Sequence, residues 1–274
     1  MNRIITKIRN GVLVIEYQGI YKAGAVAAFI AALLFRRNLD AEWLLLRGSG
    51  IIHGGPPAPP DTVSGWFALL RQSPLLGLTL LNLFDQVNYA LVGLIFLALF
   101  LALGRANKIW MIIAAVLAFT GISVYFASNQ AIHMYTLSRH YMVATSSVER
   151  ETLLATGQTA LAIHQNASYA GRGIYLSFLC VSIAGLIISA VMLKGIVFGK
   201  STAFFGILAN VFGLGYYIAI ILVPEFVYLP LSVSAIFLLV WYLKIGSRLW
   251  SLGSERIAAP SRSSISGKMF VSDM

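Results

Sequence analysis

The chain has 274 residues, 58% of them hydrophobic and 11% charged, with a mean hydropathy of +0.81. A soluble domain carries roughly a quarter charged residues, so an ordinary water-soluble globular protein is excluded and a membrane protein is indicated. The net charge of +10 does not point to nucleic acid, because Lys and Arg sit at the ends of apolar runs, where orientation signals lie.

At the N-terminus Arg3, Lys7 and Arg9 precede apolar residues as in a cleaved signal, but Glu16 and Lys22 interrupt the run and no small-x-small site follows. The segment therefore reads as uncleaved. Crossing a ~30 Å hydrocarbon core takes roughly 20 apolar residues. Runs of that order predict six spans, at about Ile20–Phe35, Leu75–Leu103, Ile109–Ala127, Gly173–Leu193, Ala203–Val223 and Val227–Leu243. The first is short and closed by Arg36 and Arg37; it can begin nearer Gly11 if Lys22 snorkels to the headgroups.

Orientation follows from the basic residues. With the N-terminus inside, Arg3, Lys7, Arg9, Lys22, Arg105, Lys108, Lys194, Lys200, Lys244, Arg248, Arg256, Arg262 and Lys268 are cytoplasmic, thirteen of the twenty Lys and Arg. The other seven fall in two long outer loops, 36–74 and 128–172. Both termini are thus expected in the cytoplasm.

The first outer loop contains "HGGPPAPPD", a stretch that can be neither helix nor sheet. Near its end Ser73 is placed to cap a helix and Pro74 to occupy its first position. In the second, a helical stretch over Ile132 to Val143, a break at Ala144 to Ser146, and a capping box of Ser146 with Glu149 predict an external helical hairpin. The fold class expected is all-α: a six-transmembrane helix bundle over residues 1–252 with an extracytoplasmic helical hairpin cap at 128–172. A Ser-rich, disordered cytoplasmic tail is expected over 253–274.

One acid stands inside a span. Asp85 is 20 residues from Arg105, about 30 Å of helix at 1.5 Å per residue, which places it near the outer interface. The apolar segment Leu75 to Phe84 then projects past the membrane and needs cover, which the hairpin can supply. Beneath it a polar layer is expected from Asn82, Asp85, Gln86, Asn88 and Asn129, with Asn82, Asp85 and Gln86 on one helical face. A carboxylate held from water costs several kcal/mol unless paired or protonated. The candidate partners are Arg139, Arg172, His133 and His140. In the preferred reading the layer is structural and pins the cap to the bundle; in the other it lines a pocket for a lipid or small amphipathic ligand. The sequence does not separate them.

Enzyme signatures are weak. His133 and His140 share a helix face but lie about 10 Å apart along the axis, too far for one metal at ~2 Å bonds. There is no HExxH and no GxSxG, so neither metal nor cofactor is expected. Ser177, Ser182 and Ser189 read as interhelical hydrogen bonders, and Cys180, alone in an apolar run, as a buried, inert thiol. On the fifth span Gly206, Asn210 and Gly213 form a small, polar seam for close helix approach, within the bundle or, as the alternative, between copies of a homo-oligomer. No matched pair of broken spans suggests an alternating-access transporter.

The segments "FRRNLDAEW", "ALGRANKIWMIIAAVLAFTGISVYFASNQAIHM", "LSRHYMVATSSVERETLLATGQTALA" and "GLIISAVMLKGIVFGKSTAFFGILANVFGLGYY" together resemble bacterial and archaeal multi-pass membrane proteins known only as a domain of unknown function. The likeness spans about Tyr21 to Leu252. It implies a six-span prokaryotic inner-membrane protein and carries no activity with it. Relatives more often hold an acid or amide pair where Arg139 and His140 stand, so no role is transferred to those positions. The expectation is an integral membrane protein of unassigned role, non-enzymatic, with a lipid or small ligand under the cap as an option. The alternatives are an outward-facing lipid or small-molecule enzyme using Asp85 with His133 or His140, and a transporter or accessory subunit.

Overall fold

The computed structural model describes residues 17–34, 58–167, 173–223 and 228–254. The loop up to Pro57, Arg172, and the tail from residue 255 lie outside the described residues. Among those described there is no strand. The helices are α1 Tyr17–Leu34, α2 Val63–Gln72, α3 Pro74–Leu80, α4 Leu83–Leu103, α5 Lys108–Ser128, α6 Ala131–Val143, α7 Ser147–Ala167, α8 Gly173–Met192, α9 Lys200–Leu222 and α10 Tyr228–Ser254. Six segments are long and apolar enough to cross a membrane, those of α1, α4, α8, α9 and α10 and the segment Lys108–Val143, which takes in α5 and α6, each about 27 to 54 Å of helix. The molecule is a multi-pass integral membrane protein.

The bundle is knit by close approaches at small residues. A Cβ on Gly24 of α1 would meet Ala98 of α4 and Leu249 of α10, and one on Gly246 would meet the Phe29 ring, so α1 lies between α4 and α10. Its small residues Ala25, Ala28, Ala31 and Ala32 are almost wholly buried there. The seam on α9 is filled from within the chain: Gly206 lies against Ser189 of α8 and Trp241 of α10, Asn210 against Gly185 of α8, and Gly213 against Phe178 and Ser234. Without a hydrophobic drive between helices in lipid, such close packing is what holds a bundle together.

The helix ends sort the charges. Where α4 ends and α5 begins, Lys194 Nζ donates to Ala106 O at 3.1 Å, and Arg248 Nε donates to Val197 O at 2.8 Å. Lys22 packs against Gly253 at the same end. α10 runs on to Ser254, past the end expected at Leu243, because Lys244 and Arg248 continue the helix at this basic end.

At the opposite end α2, α3, α6 and α7 gather around a second core of Trp66, Phe67, Leu70, Leu81, Met134, Leu137 and Leu161. Local signals account for their ends. The Thr62 side chain accepts from Gly65 N at 3.1 Å to start α2, and Pro74 stands in the first turn of α3. Ser73 occupies the cap position there without a side-chain cap bond. At the start of α7 Ser146 Oγ accepts from Glu149 N at 3.1 Å, while the Glu149 carboxylate accepts from Thr145 N at 3.3 Å, a capping box shifted by one residue at its return bond.

The single helix expected over Leu75 to Leu103 is two. It breaks at Leu81 and Asn82, where Asn82 adopts φ 61 and ψ 39, the left-handed conformation. Among the described residues it is the only non-glycine with positive φ. Asn tolerates this region better than most side chains and commonly ends helices in it. Asn82 therefore lies outside α4 and does not share a helical face with Asp85 and Gln86.

Candidate functional site

The residues of the expected polar layer divide between two structures. Asn129, in the break between α5 and α6, is buried, and its Nδ2 group lies 3.3 Å from each of three acceptors: Leu81 O, Asn82 O and Tyr125 Oη. Its Oδ1 accepts from Ala131 N at 3.0 Å, an Asx turn that starts α6. One side chain thus ties the break before α4 to the break after α5.

Asp85 and Asn88 belong to the second structure, a cavity of about 460 Å³ enclosed by α4, α5, α8, α9 and α10. On α4 it is lined by Asp85, Asn88, Tyr89, Val92 and Phe96, a stripe at i, i+3, i+4, i+7 and i+11. Facing walls come from Tyr125, from Tyr175, Phe178 and Ser182, from Asn210 and Tyr216, and from Ser234, Leu238, Trp241 and Tyr242. From Asp85 to Phe96 the stripe descends about 16 Å. The cavity therefore runs from the end carrying α2, α3, α6 and α7 to the middle of the bundle. One end holds the Asp85 carboxylate and the Asn88 amide; the rest is mostly aromatic and aliphatic, with Ser182, Asn210 and Ser234 among them.

Tyr89 and Tyr125 join the two structures. Their rings stack with centroids 3.9 Å apart and an interplanar angle of 11°, and both lie within electrostatic reach of Asp85. Across the mouth, Tyr217 Oη donates to Tyr175 O at 2.6 Å, fixing α8 against α9, and the Tyr175 and Tyr217 rings meet edge to face at 4.4 Å. Deeper, Ser234 Oγ donates to Ala209 O at 2.7 Å and ties α10 to α9.

Asp85 is half-buried, and among the described residues no hydrogen bond or ion pair reaches its carboxylate. Asn88 Oδ1 is buried and has no hydrogen-bond partner among them. Gln86, next to Asp85, is buried with Oε1 equally unpartnered, and it does not line the cavity. The partners expected for Asp85 are elsewhere. His133, Arg139 and His140 are exposed on α6, His133 on a shallow groove with Thr152 and Thr156 of α7. Arg172 lies outside the described residues. No described Lys, Arg or His lines the cavity. His164 is buried on α7, away from it. Among the described residues no three His, Cys, Asp or Glu side chains gather as a metal set.

Of the serines, Ser189 Oγ bonds within its own helix to Gly185 O at 2.7 Å, Ser182 lines the cavity, and Ser177 is buried beside Tyr89. Cys180 is half-buried, not sealed in the core.

Sequence reasoning missed the aromatic walls. Tyr89 is four residues from Asp85 and Tyr125 four before Asn129, so helical spacing alone would have placed each beside a residue already singled out. The contributions of α8, α9 and α10 had no such signal, because they depend on which helix faces which.

No family model, curated protein or solved structure matches the chain.

Proposed function

We propose that this protein is a non-enzymatic membrane receptor or carrier that holds one small amphipathic or lipid-like molecule in the cavity beneath Asp85. The observation that carries this reading is the cavity itself. Its 460 Å³ falls within the ~300–1,000 Å³ usual for small-molecule sites, and its largely apolar wall with a few polar groups is the usual composition of such sites. Ionisable residues at membrane depth usually face a cavity. The enzyme reading with Asp85 and a histidine has no support from the geometry, since no described histidine lines the cavity.

The protein resides in a prokaryotic cytoplasmic membrane with both termini inside, and α2, α3, α6 and α7 form an external cap over the cavity mouth. Arg105, Lys108, Lys194, Lys200, Lys244 and Arg248 gather at the other end of the bundle and support this orientation. A membrane-impermeant thiol reagent applied to intact cells tests it. In a Cys180→Ala background, a cysteine at Ser147 should be labelled and one at Asn107 should not; the reverse pattern inverts the topology.

The ligand reading is tested by native mass spectrometry of the detergent-released protein. The wild type should retain a stoichiometric small molecule. Ala235→Phe, which places a ring in the cavity wall, should release it without loss of folded protein. An empty wild type across mild detergents overturns the reading.

A further inference from the structure

At the Asp85 end of the cavity the unfilled groups are acceptors; deeper, the buried Trp241 Nε1–H is a donor without a partner among the described residues. The Asp85 carboxylate meets no donor among the described residues, and the buried Asn88 Oδ1, also on the lining, meets none either. Both are acceptors, and Asp85 is negative. No described Lys, Arg or His lines the cavity, so the described wall holds no counter-charge. Tyr89 and Tyr125 lie within electrostatic reach of Asp85, and Tyr175 and Tyr216 stand on the same lining. Tyrosine faces attract cations through the ring quadrupole, and attraction strengthens where water is excluded.

An anionic ligand would meet like charge at the mouth. A neutral one would leave Asp85 either an uncompensated carboxylate or obliged to take up a proton. A cation removes both penalties at once.

We propose, resting on the reading of this cavity as a ligand site, that its ligand is an organic monocation: an ammonium group held between Asp85 and the tyrosine rings, with an apolar tail running along Val92 and Phe96 toward Trp241. Asn88 Oδ1 accepts a hydrogen bond where the ammonium bears a proton. The competing charge to test is Arg172, which immediately precedes α8 in sequence.

The test uses two probes of one shape: benzyltrimethylammonium and its uncharged carbon isostere, neopentylbenzene. Each is titrated calorimetrically into the full chain in an uncharged maltoside detergent. The cation should bind saturably, about tenfold or more tighter than the isostere, a difference of one charge contact. Asp85→Asn should remove that preference while leaving the isostere's affinity unchanged, and Tyr175→Leu should weaken the cation several-fold. If Asp85→Asn does not fold, Tyr175→Leu carries the test, and unchanged cation affinity in it overturns the inference.

Equal affinity for both probes overturns the cation inference and leaves the ligand site standing. Cation binding seen only in Arg172→Gln also overturns it and makes Asp85 half of an internal ion pair. If neither probe binds and native mass spectrometry shows an empty wild type, the inference and the ligand site fall together.

Discussion

Asn129 holds the backbone of Asn82 across 47 residues of chain: its side-chain amide reaches the carbonyls of Asn82 and Leu81, each at 3.3 Å. The two helix breaks are thereby one joint. Asn82 turns the chain out of α3 and into α4, Asn129 turns it out of α5 and into α6, and the amide of the second satisfies carbonyls exposed by the first. Asn82 O also accepts from Gln86 N at 3.2 Å, so Leu81 O is the carbonyl that depends on Asn129.

Replacing Asn129 with leucine removes the amide from Leu81 O and Asn82 O, the second of which keeps its bond from Gln86 N, and the cap from Ala131 N. The expected loss is about 1–3 kcal/mol, the cost of leaving a buried acceptor unsatisfied. Tyr125→Phe, which deletes only the phenol oxygen from the same network, should lose less than Asn129→Leu. The midpoint of thermal unfolding in detergent reads both. An Asn129→Leu variant as stable as wild type would show that the joint is not held by this amide.

At Asn82 the backbone conformation matters more than the side chain, which makes no cap bond. Asn82→Gly should preserve stability, because glycine adopts positive φ without penalty. Asn82→Val should cost at least about 1–2 kcal/mol, the strain of a left-handed non-glycine. Equal melting of the two variants would mean that the break relaxes to a helix.

Gly206 is the contact point of three helices. An added Cβ would overlap Ser189 Oγ and the Trp241 ring. Gly206→Ala should therefore destabilise by about 1–3 kcal/mol through overpacking. Gly19→Ala, whose Cβ meets nothing within 4 Å, should be neutral or stabilising by up to about 1 kcal/mol. Unfolding titrations of the two in parallel separate a packing effect from a general effect of replacing glycine.

His164 is buried on α7, and burial lowers its pKa from the usual 6.5 because the charged form is disfavoured there. The unfolded chain takes up the proton first. The contribution is fully present above about pH 6.5 and is lost as pH falls toward the lowered folded value. The protection of α7 amides, corrected for the intrinsic slowing of exchange in acid, should fall on mild acidification, and His164→Leu should remove that response. An identical acid response in the variant would place its origin elsewhere.

Much of the architecture can be read without coordinates. Low charge and recurrent apolar runs are strong signals over twenty residues, so the six spans fall within a few residues of α1, α4, α5, α8, α9 and α10, apart from the extra turns at the start of the second and the end of the sixth and the third segment's continuation through α6 to Val143. The hairpin is legible for a local reason: Ser146 and Glu149 act on backbone amides within one turn. The break at Asn82 was not legible. A hydropathy pattern reports side chains, whereas the break consists of one residue's φ and the Leu81 carbonyl's dependence on an amide far along the chain.

Composition and periodicity by themselves determined that this is an all-helical, multi-pass membrane protein with one acid near a span's end, because insertion into hydrocarbon demands long apolar helices whatever their neighbours. Only the tertiary structure decided that the polar residues serve two ends, Asn82 and Asn129 a helix joint, Asp85 and Asn88 the mouth of a cavity. That division rests on the rotation of each helix about its axis and on which faces meet. Those are set by contacts such as Gly206 with Trp241 and Tyr89 with Tyr125, between residues that local sequence never places side by side.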